Sequence, residues 1–231
     1  MQSVRLRLIR RLATWVLNIA LPFIALAFGR QLLGIVKPVA LTSPRPLMFL
    51  LGAGSFLPCW WLARRYMRRP LDYLSTLEHE LTHILVGLLF FKRPLSLRVS
   101  ARAGGDVVLT GGNLWITLAP YYLPTISMLL LAIGTVLPFK YQAQLLAALG
   151  ASAIFHILST WTELGVMQSD FKKAGILQTV LLLPVANLLF YGSIVAYVLG
   201  NTAGFIQWWR VGGSKTLALL SDIFHFGVSR L

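Results

Sequence analysis

Long stretches without a single charged residue constrain this chain more than any other feature. Leu12 to Gly29 and Pro46 to Ala63 each run 18 residues uncharged, and Val107 to Phe139 and Ala174 to Trp209 run longer still. Tyr141 to Thr162 is interrupted only by His156. A bilayer core asks about 20 apolar residues of a helix, so these stretches read as membrane spans. With 57% hydrophobic and 12% charged residues among 231, the chain lies far from the soluble average of roughly 25% charged. The expected fold is an all-α membrane protein, a bundle of about six transmembrane helices.

The net charge of +14 does not point to nucleic acid, because the basic residues gather where spans end. Arg5, Arg7, Arg10 and Arg11 precede the first span, and Arg64, Arg65, Arg68 and Arg69 follow the second. That pattern suits lipid headgroups and favours a cytoplasmic amino terminus, although alternate loops differ little in basic content. After Gly29 the chain continues "RQLLGIVKP" without a small-residue cleavage site, so the first apolar stretch reads as a retained span rather than a signal peptide. The sole cysteine, Cys59, excludes an internal disulfide and a cysteine-based metal site. No repeat or composition shift marks a second unit. Residues 1–231 are expected to form a single polytopic membrane domain in a cell inner or plasma membrane. Its catalytic core is expected over about 71–199, with an interfacial segment over 200–231 headed by Trp208 and Trp209.

One apolar segment carries ionisable groups that need a reason. In "TLEHELTHILVGLLFF", residues 76–91, Glu78, His79, Glu80 and His83 fall within six positions, and each such group costs about 2.5–3.5 kcal/mol in lipid. His79-Glu80-Leu81-Thr82-His83 is an HExxH sequence. On a helix the four-residue spacing stacks two imidazoles on one face, one turn apart, which suits Zn2+. A catalytic zinc takes three protein ligands and keeps a position for water. Glu80, beside the first histidine, is placed to take a proton from that water rather than to bind metal. A third ligand has to come from the few remaining acids and histidines, and His156, Glu163 and Asp170 are the candidates. Glu163 has a second role open to it, orienting a ligand imidazole.

Further along, Leu95, Leu97, Val99 and Ala101 alternate with Ser96, Arg98, Ser100 and Arg102, and Gly104-Gly105 offers a turn before Val107, Val108 and Leu109. This predicts a short β-hairpin near residues 95–110. An edge strand there can hold a peptide extended through main-chain hydrogen bonds. Asn113 and Asn187 are candidate amide donors to a substrate, and Pro120, Pro124 and Pro184 are candidate kink sites in apolar runs.

Three stretches resemble the site-2 protease family of intramembrane zinc metalloproteases. "HELTHILVGLL" is similar to its metal-binding helix, "PLSLRVSARAGGDVVLTGG" falls where the family has a membrane-associated hairpin, and "QSDFKKAG" stands where a later segment supplies an aspartate ligand. The resemblance implies Asp170 as third ligand and a membrane-anchored protein as substrate. The family's Asp-Gly pair is absent, with Phe171-Lys172-Lys173-Ala174 between Asp170 and Gly175. If the third and fifth spans began level, Asp170 would lie beyond the far end of the fifth, and the chain after Gly165 would have to fold back; His156 has the better depth. Two other classes fit a buried His/carboxylate set, a membrane carrier of metal or other ions and a non-catalytic scaffold.

Overall fold

The computed structural model describes residues 2–37, 43–102, 104–164 and 169–228, and their side chains except those of residues 2–11, 223, 224 and 226–228. In chain order the elements are α1 (Gln2–Val36), α2 (Pro44–Tyr66), α3 (Arg68–Leu89), β1 (Pro94–Ser100), β2 (Gly104–Leu109), α4 (Leu114–Leu118), α5 (Thr125–Gly134), α6 (Gln142–Glu163), α7 (Ser169–Ala174) and α8 (Ile176–Val228). The helical fold with one small hairpin is the expected class.

Among the described residues the number of spans is smaller than six. Four helices there are long and apolar enough to cross a membrane, within Leu12–Val36, Pro44–Tyr66, Phe139–Glu163 and Ile176–Asp222, and a fifth results if the bent pair Leu114–Tyr121 and Thr125–Gly134 is taken as one. Two segments account for the difference. Helix α3 carries Arg68, Arg69, Asp72, Glu78 and Glu80 and falls outside the set. The charge-free run 107–139 is not one helix: it holds the end of β2, then α4, a 3₁₀ turn over Ala119–Tyr121, and α5 after a bend of 86°.

That bend has a local cause. Pro120 and Pro124 lack the N–H that a continuous helix requires, so carbonyls between them lose their intrahelical partners. In an apolar bundle those carbonyls must be satisfied by other protein groups. The Pro120 carbonyl accepts from His156 Nε2 at 3.0 Å and from Thr160 Oγ1 at 3.4 Å, and the Tyr121 carbonyl accepts from Asn187 Nδ2 at 3.1 Å. Pro184 sits within α8 without a break; the interruption in α8 falls at Gly200 and Asn201 instead.

Helices α2 and α6 meet backbone to backbone. A Cβ on Gly52 would run into the Ala147 backbone, and one on Gly150 into the backbones of Phe49 and Ala53, a use of small residues that lets helices approach closely in lipid. Leu145, Leu146 and Leu149 of α6 pack with Ile194 and Tyr197 of α8, while Leu21, Ile116, Leu118, Tyr122 and Leu182 form a second core beneath the bend. Large apolar side chains such as Trp15 and Val16 remain exposed along α1, as suits a surface facing lipid tails.

The hairpin pairs antiparallel, Leu97 with Val107 and Val99 with Gly105, with an irregularity between Pro94 and Ser96. Gly104, the first residue of β2, takes φ +75° where the strand leaves the turn, and Gly105 is already paired within the ladder. Both strands pack on α3.

Candidate metal centre

Helix α3 buries one face, which includes Ser75, His79, Glu80, Thr82, His83 and Val86. The spacing 75, 79, 82, 83, 86 is that of a single helical stripe, so the two imidazoles stand one turn apart with ring centroids 5.0 Å from each other. The polar members of the stripe are anchored from outside α3. Ser75 hydrogen-bonds Ser159, and Thr82 Oγ1 lies 2.7 Å from Thr125 Oγ1. Glu78 turns elsewhere, bordering an apolar groove with Phe56, Trp60 and Leu81.

Both histidines are oriented through Nδ1. His79 Nδ1–H donates to Glu163 Oε2 at 2.6 Å, and His83 Nδ1–H donates to the Ile116 carbonyl at 2.8 Å. A carbonyl can only accept, so in the neutral ring His83 carries its proton on Nδ1 and leaves Nε2 as a lone pair. The same holds for His79 against an ionised Glu163. Both Nε2 atoms then face one oxygen: Asp170 Oδ2 lies 3.6 Å from His79 Nε2 and 3.4 Å from His83 Nε2. Two lone pairs and a carboxylate at such range repel unless a positive charge joins them, supplied either by a proton on each ring or by a cation. Burial alone would raise the Asp170 carboxyl; with both rings protonated, the hydrogen bonds and positive charge of His79 and His83 together outweigh it and hold the carboxyl below its ordinary value.

His79, His83 and Asp170 are all buried, and their donor atoms lie within 4.8 Å of one another, a group able to hold a metal ion. Two imidazole nitrogens and a carboxylate oxygen, each imidazole fixed by an acceptor on its other nitrogen, suit zinc in both donor type and outer support. Asp170 belongs to α7, which Gly175, at φ +88°, turns into α8. Helices α3 and α6 do not start level, as the greater depth expected for Asp170 would require. Instead His79 meets Glu163, the last residue of α6, so the pair sits beside the point from which the chain leads toward α7; residues 165–168 between them lie outside the described set.

The other candidates are engaged elsewhere. Glu163 touches the Nδ1 side of His79, away from the Nε2 pair. His156 uses both nitrogens, Nε2 on Pro120 and Nδ1 at 2.7 Å from Tyr191 Oη. Asn113 caps α4 by accepting from the Ile116 amide, and Asn187 Nδ2 donates to Tyr121 and Leu183 carbonyls; neither faces the cluster as a free amide.

Glu80 and the two histidines border a cavity of about 410 Å³ whose opposite wall is β2, Gly105 through Leu109. Contact between strand and helix is close. A Cβ on Gly105 would lie 2.6 Å from Glu80 Cγ and Oε1, and one on Gly87 would lie 2.8 Å from Leu109 Cδ1. Three participants carried no sequence signal. Tyr121 donates from its hydroxyl to Asp170 Oδ2 at 3.3 Å and sets its ring 5.3 Å from that of His79, Lys173 Nζ stands 3.5 Å from Asp170 Oδ1, and the Ile116 carbonyl fixes His83.

A family model described as Peptidase M50B-like matches residues 52–216, more than half of the chain and inclusive of every residue of the cluster. No curated protein matches the chain, and no solved structure does. With its apolar helices, its HExxH helix and that match, the chain belongs to the Peptidase M50B-like family, within the site-2 protease family of membrane metalloproteases.

Proposed function

We propose that the chain is a zinc-dependent endopeptidase that hydrolyses peptide bonds of membrane-anchored protein substrates within or beside the bilayer of a cell inner or plasma membrane. The observation that carries the reading is the convergence of His79 Nε2, His83 Nε2 and Asp170 Oδ2 on one wall of a cavity that Glu80 also lines. These three residues would hold the metal. Zinc bound there would lower the pKa of a water toward about 7 and polarise the scissile carbonyl.

The chain's own groups supply the rest. Glu80 accepts the proton of the attacking water and returns it to the leaving amine nitrogen, so one carboxylate serves as base and then as acid. Glu163 and the Ile116 carbonyl hold both imidazoles in the tautomer that presents Nε2. Tyr121 and Lys173 steady Asp170 from either oxygen. Strand β2 has a second edge with no partner strand among the described residues, and it borders the cavity over its length. An extended substrate segment can pair there through main-chain bonds, which matters because a peptide bond inside a helix is shielded from attack.

Zinc quantification on the detergent-purified chain tests the reading beside cleavage of a membrane-anchored substrate. About one zinc per chain is expected; Glu80→Gln retains the metal and loses cleavage, and His79→Ala loses both. A metal carrier would instead move zinc across liposome membranes, and a scaffold would be indifferent to Glu80→Gln. Absence of near-stoichiometric metal in the wild type overturns the proposal.

A further inference from the structure

A second cavity lies away from the His–His–Asp cluster, between α1 and the two parts of α8. It encloses about 370 Å³ and is bordered among others by Arg30, Gln31 and Gly34 of α1 and by Gly204, Trp208 and Lys215 of α8. Its origin is the break at Gly200 and Asn201, where φ/ψ leave the helical region. Beyond it the chain doubles back: Trp208 Nε1–H donates to the Leu189 carbonyl at 3.1 Å, and a Cβ on Gly204 would meet the Ala196 backbone. Residues without side chains at 34 and 200 keep the space open, and Gly204 permits the close return of the chain.

The lining is unusual in its charge. Arg30 and Lys215 are both exposed, no carboxylate borders the cavity, and neither cation has a carboxylate partner among the described residues. Gln31 adds an independent signal. Its side chain is buried at 8% exposure, Nε2 donates to the Gln207 carbonyl at 3.4 Å, and Oε1 is buried with no hydrogen-bond partner. A buried acceptor left without a donor costs about 1–3 kcal/mol, and a turn of the Gln31 carboxamide toward the cavity would let a ligand that carries negative charge supply that donor. Ile35, Leu199 and Val211 also line the cavity, and Leu33, one helical turn from Arg30, is 63% exposed, an apolar flank suited to hydrocarbon.

The level in the membrane also fits. Arg45 donates to the Tyr197 and Val198 carbonyls at 3.0 and 2.8 Å, so one cation already caps the helix end beside the break. Val36, the end of the α1 span, is about 9 Å past Arg30 along the helix, within the reach of a side chain that extends toward the headgroups.

We propose that this cavity binds the headgroup of an anionic glycerophospholipid, its phosphate drawn to Arg30 and Lys215 and a headgroup hydroxyl donating to Gln31 Oε1. Two unopposed cations select a net-negative headgroup over a zwitterionic one. The apolar flank selects a lipid over free phosphate.

Native mass spectrometry of the full chain, released from detergent with added phosphatidylglycerol, phosphatidylethanolamine or inorganic phosphate, tests this. Expected is one retained phosphatidylglycerol per chain, with phosphatidylethanolamine bound about tenfold more weakly. Arg30→Gln with Lys215→Gln removes the preference, whereas Arg30→Lys with Lys215→Arg keeps it, and Gln31→Leu weakens phosphatidylglycerol binding. Equal retention of the two lipids overturns the proposal, as does displacement of the lipid by millimolar phosphate or an unchanged preference in the doubly neutral variant. Should that variant fail to fold, the wild-type headgroup preference still decides.

Discussion

His79 Nδ1 lies 2.6 Å from Glu163 Oε2, which ties the first histidine of the HExxH helix to the last residue of α6. The bond does two things: it fixes the ring plane, and it keeps the proton on Nδ1 so that Nε2 faces Asp170. Removal of such an outer partner typically lowers metal affinity 10–100-fold. Glu163→Ala is therefore expected to weaken zinc binding by about that factor in a chelator competition titration while the zinc stoichiometry at saturating metal stays at one. Glu163→Gln keeps an acceptor and is expected to lose less.

How much of this arrangement was legible in the sequence depended on whether the relevant contact is local. His79 and His83 are four residues apart on one helix, so periodicity alone puts them on a shared face. The hairpin was legible for the same reason: Leu97 and Val99 alternate with Arg98 and Ser100, and the turn needs a residue such as Gly104. Hydropathy, by contrast, does not register a backbone that breaks without becoming polar. The run 107–139 therefore reads as one span although β2, α4 and α5 share it. Tyr121 and the Ile116 carbonyl lie on the first arm of a segment that bends by 86° before Thr125, and no local pattern encodes how that arm lies against α3. Asp170 came from resemblance, since its approach to His79 depends on where α7 lies relative to the end of α6.

His156 separates a structural histidine from a ligand by experiment. Its Nε2 donates to the Pro120 carbonyl, which otherwise has only the longer contact from Thr160. His156→Phe removes the donor and leaves a buried carbonyl poorly satisfied, at a cost of about 1–3 kcal/mol. Expected is a lower thermal midpoint in detergent with zinc content unchanged at one per chain. Loss of zinc from a folded His156→Phe variant would instead make it a ligand.

Gly105 tests the closeness of β2 to the general base. A methyl group there would stand 2.6 Å from Glu80 Cγ and Oε1 and 2.7 Å from Thr76 Cγ2, so either the strand or the carboxylate must shift. Displacement of a reacting group by about 1 Å can cost 10²-fold in rate. Gly105→Ala is thus expected to lower kcat by one to two orders of magnitude with zinc retained, because the three atoms nearest the added carbon belong to Glu80 and Thr76 and not to a metal-holding residue. Gly104→Ala, with no neighbour within 4 Å, strains only the turn and is expected to leave zinc and most activity in place.

The α2–α6 contact gives the most direct test of packing in the bundle. Gly52 faces the Ala147 backbone, and backbone cannot swing aside as a side chain can, so Gly52→Val has to push the two helices apart. Overpacking of this kind costs about 1–3 kcal/mol or more. Gly54, two residues on in the same helix, has nothing within 4 Å, and Gly54→Val places its added carbons in open space. Thermal unfolding of the two variants in the same detergent is expected to lower the midpoint for Gly52→Val and leave it near wild type for Gly54→Val; equal midpoints would mean that α2 and α6 do not approach through Gly52. Since α6 also carries Glu163 to His79, Gly52→Val is further expected to weaken zinc binding, a coupling that Gly54→Val lacks.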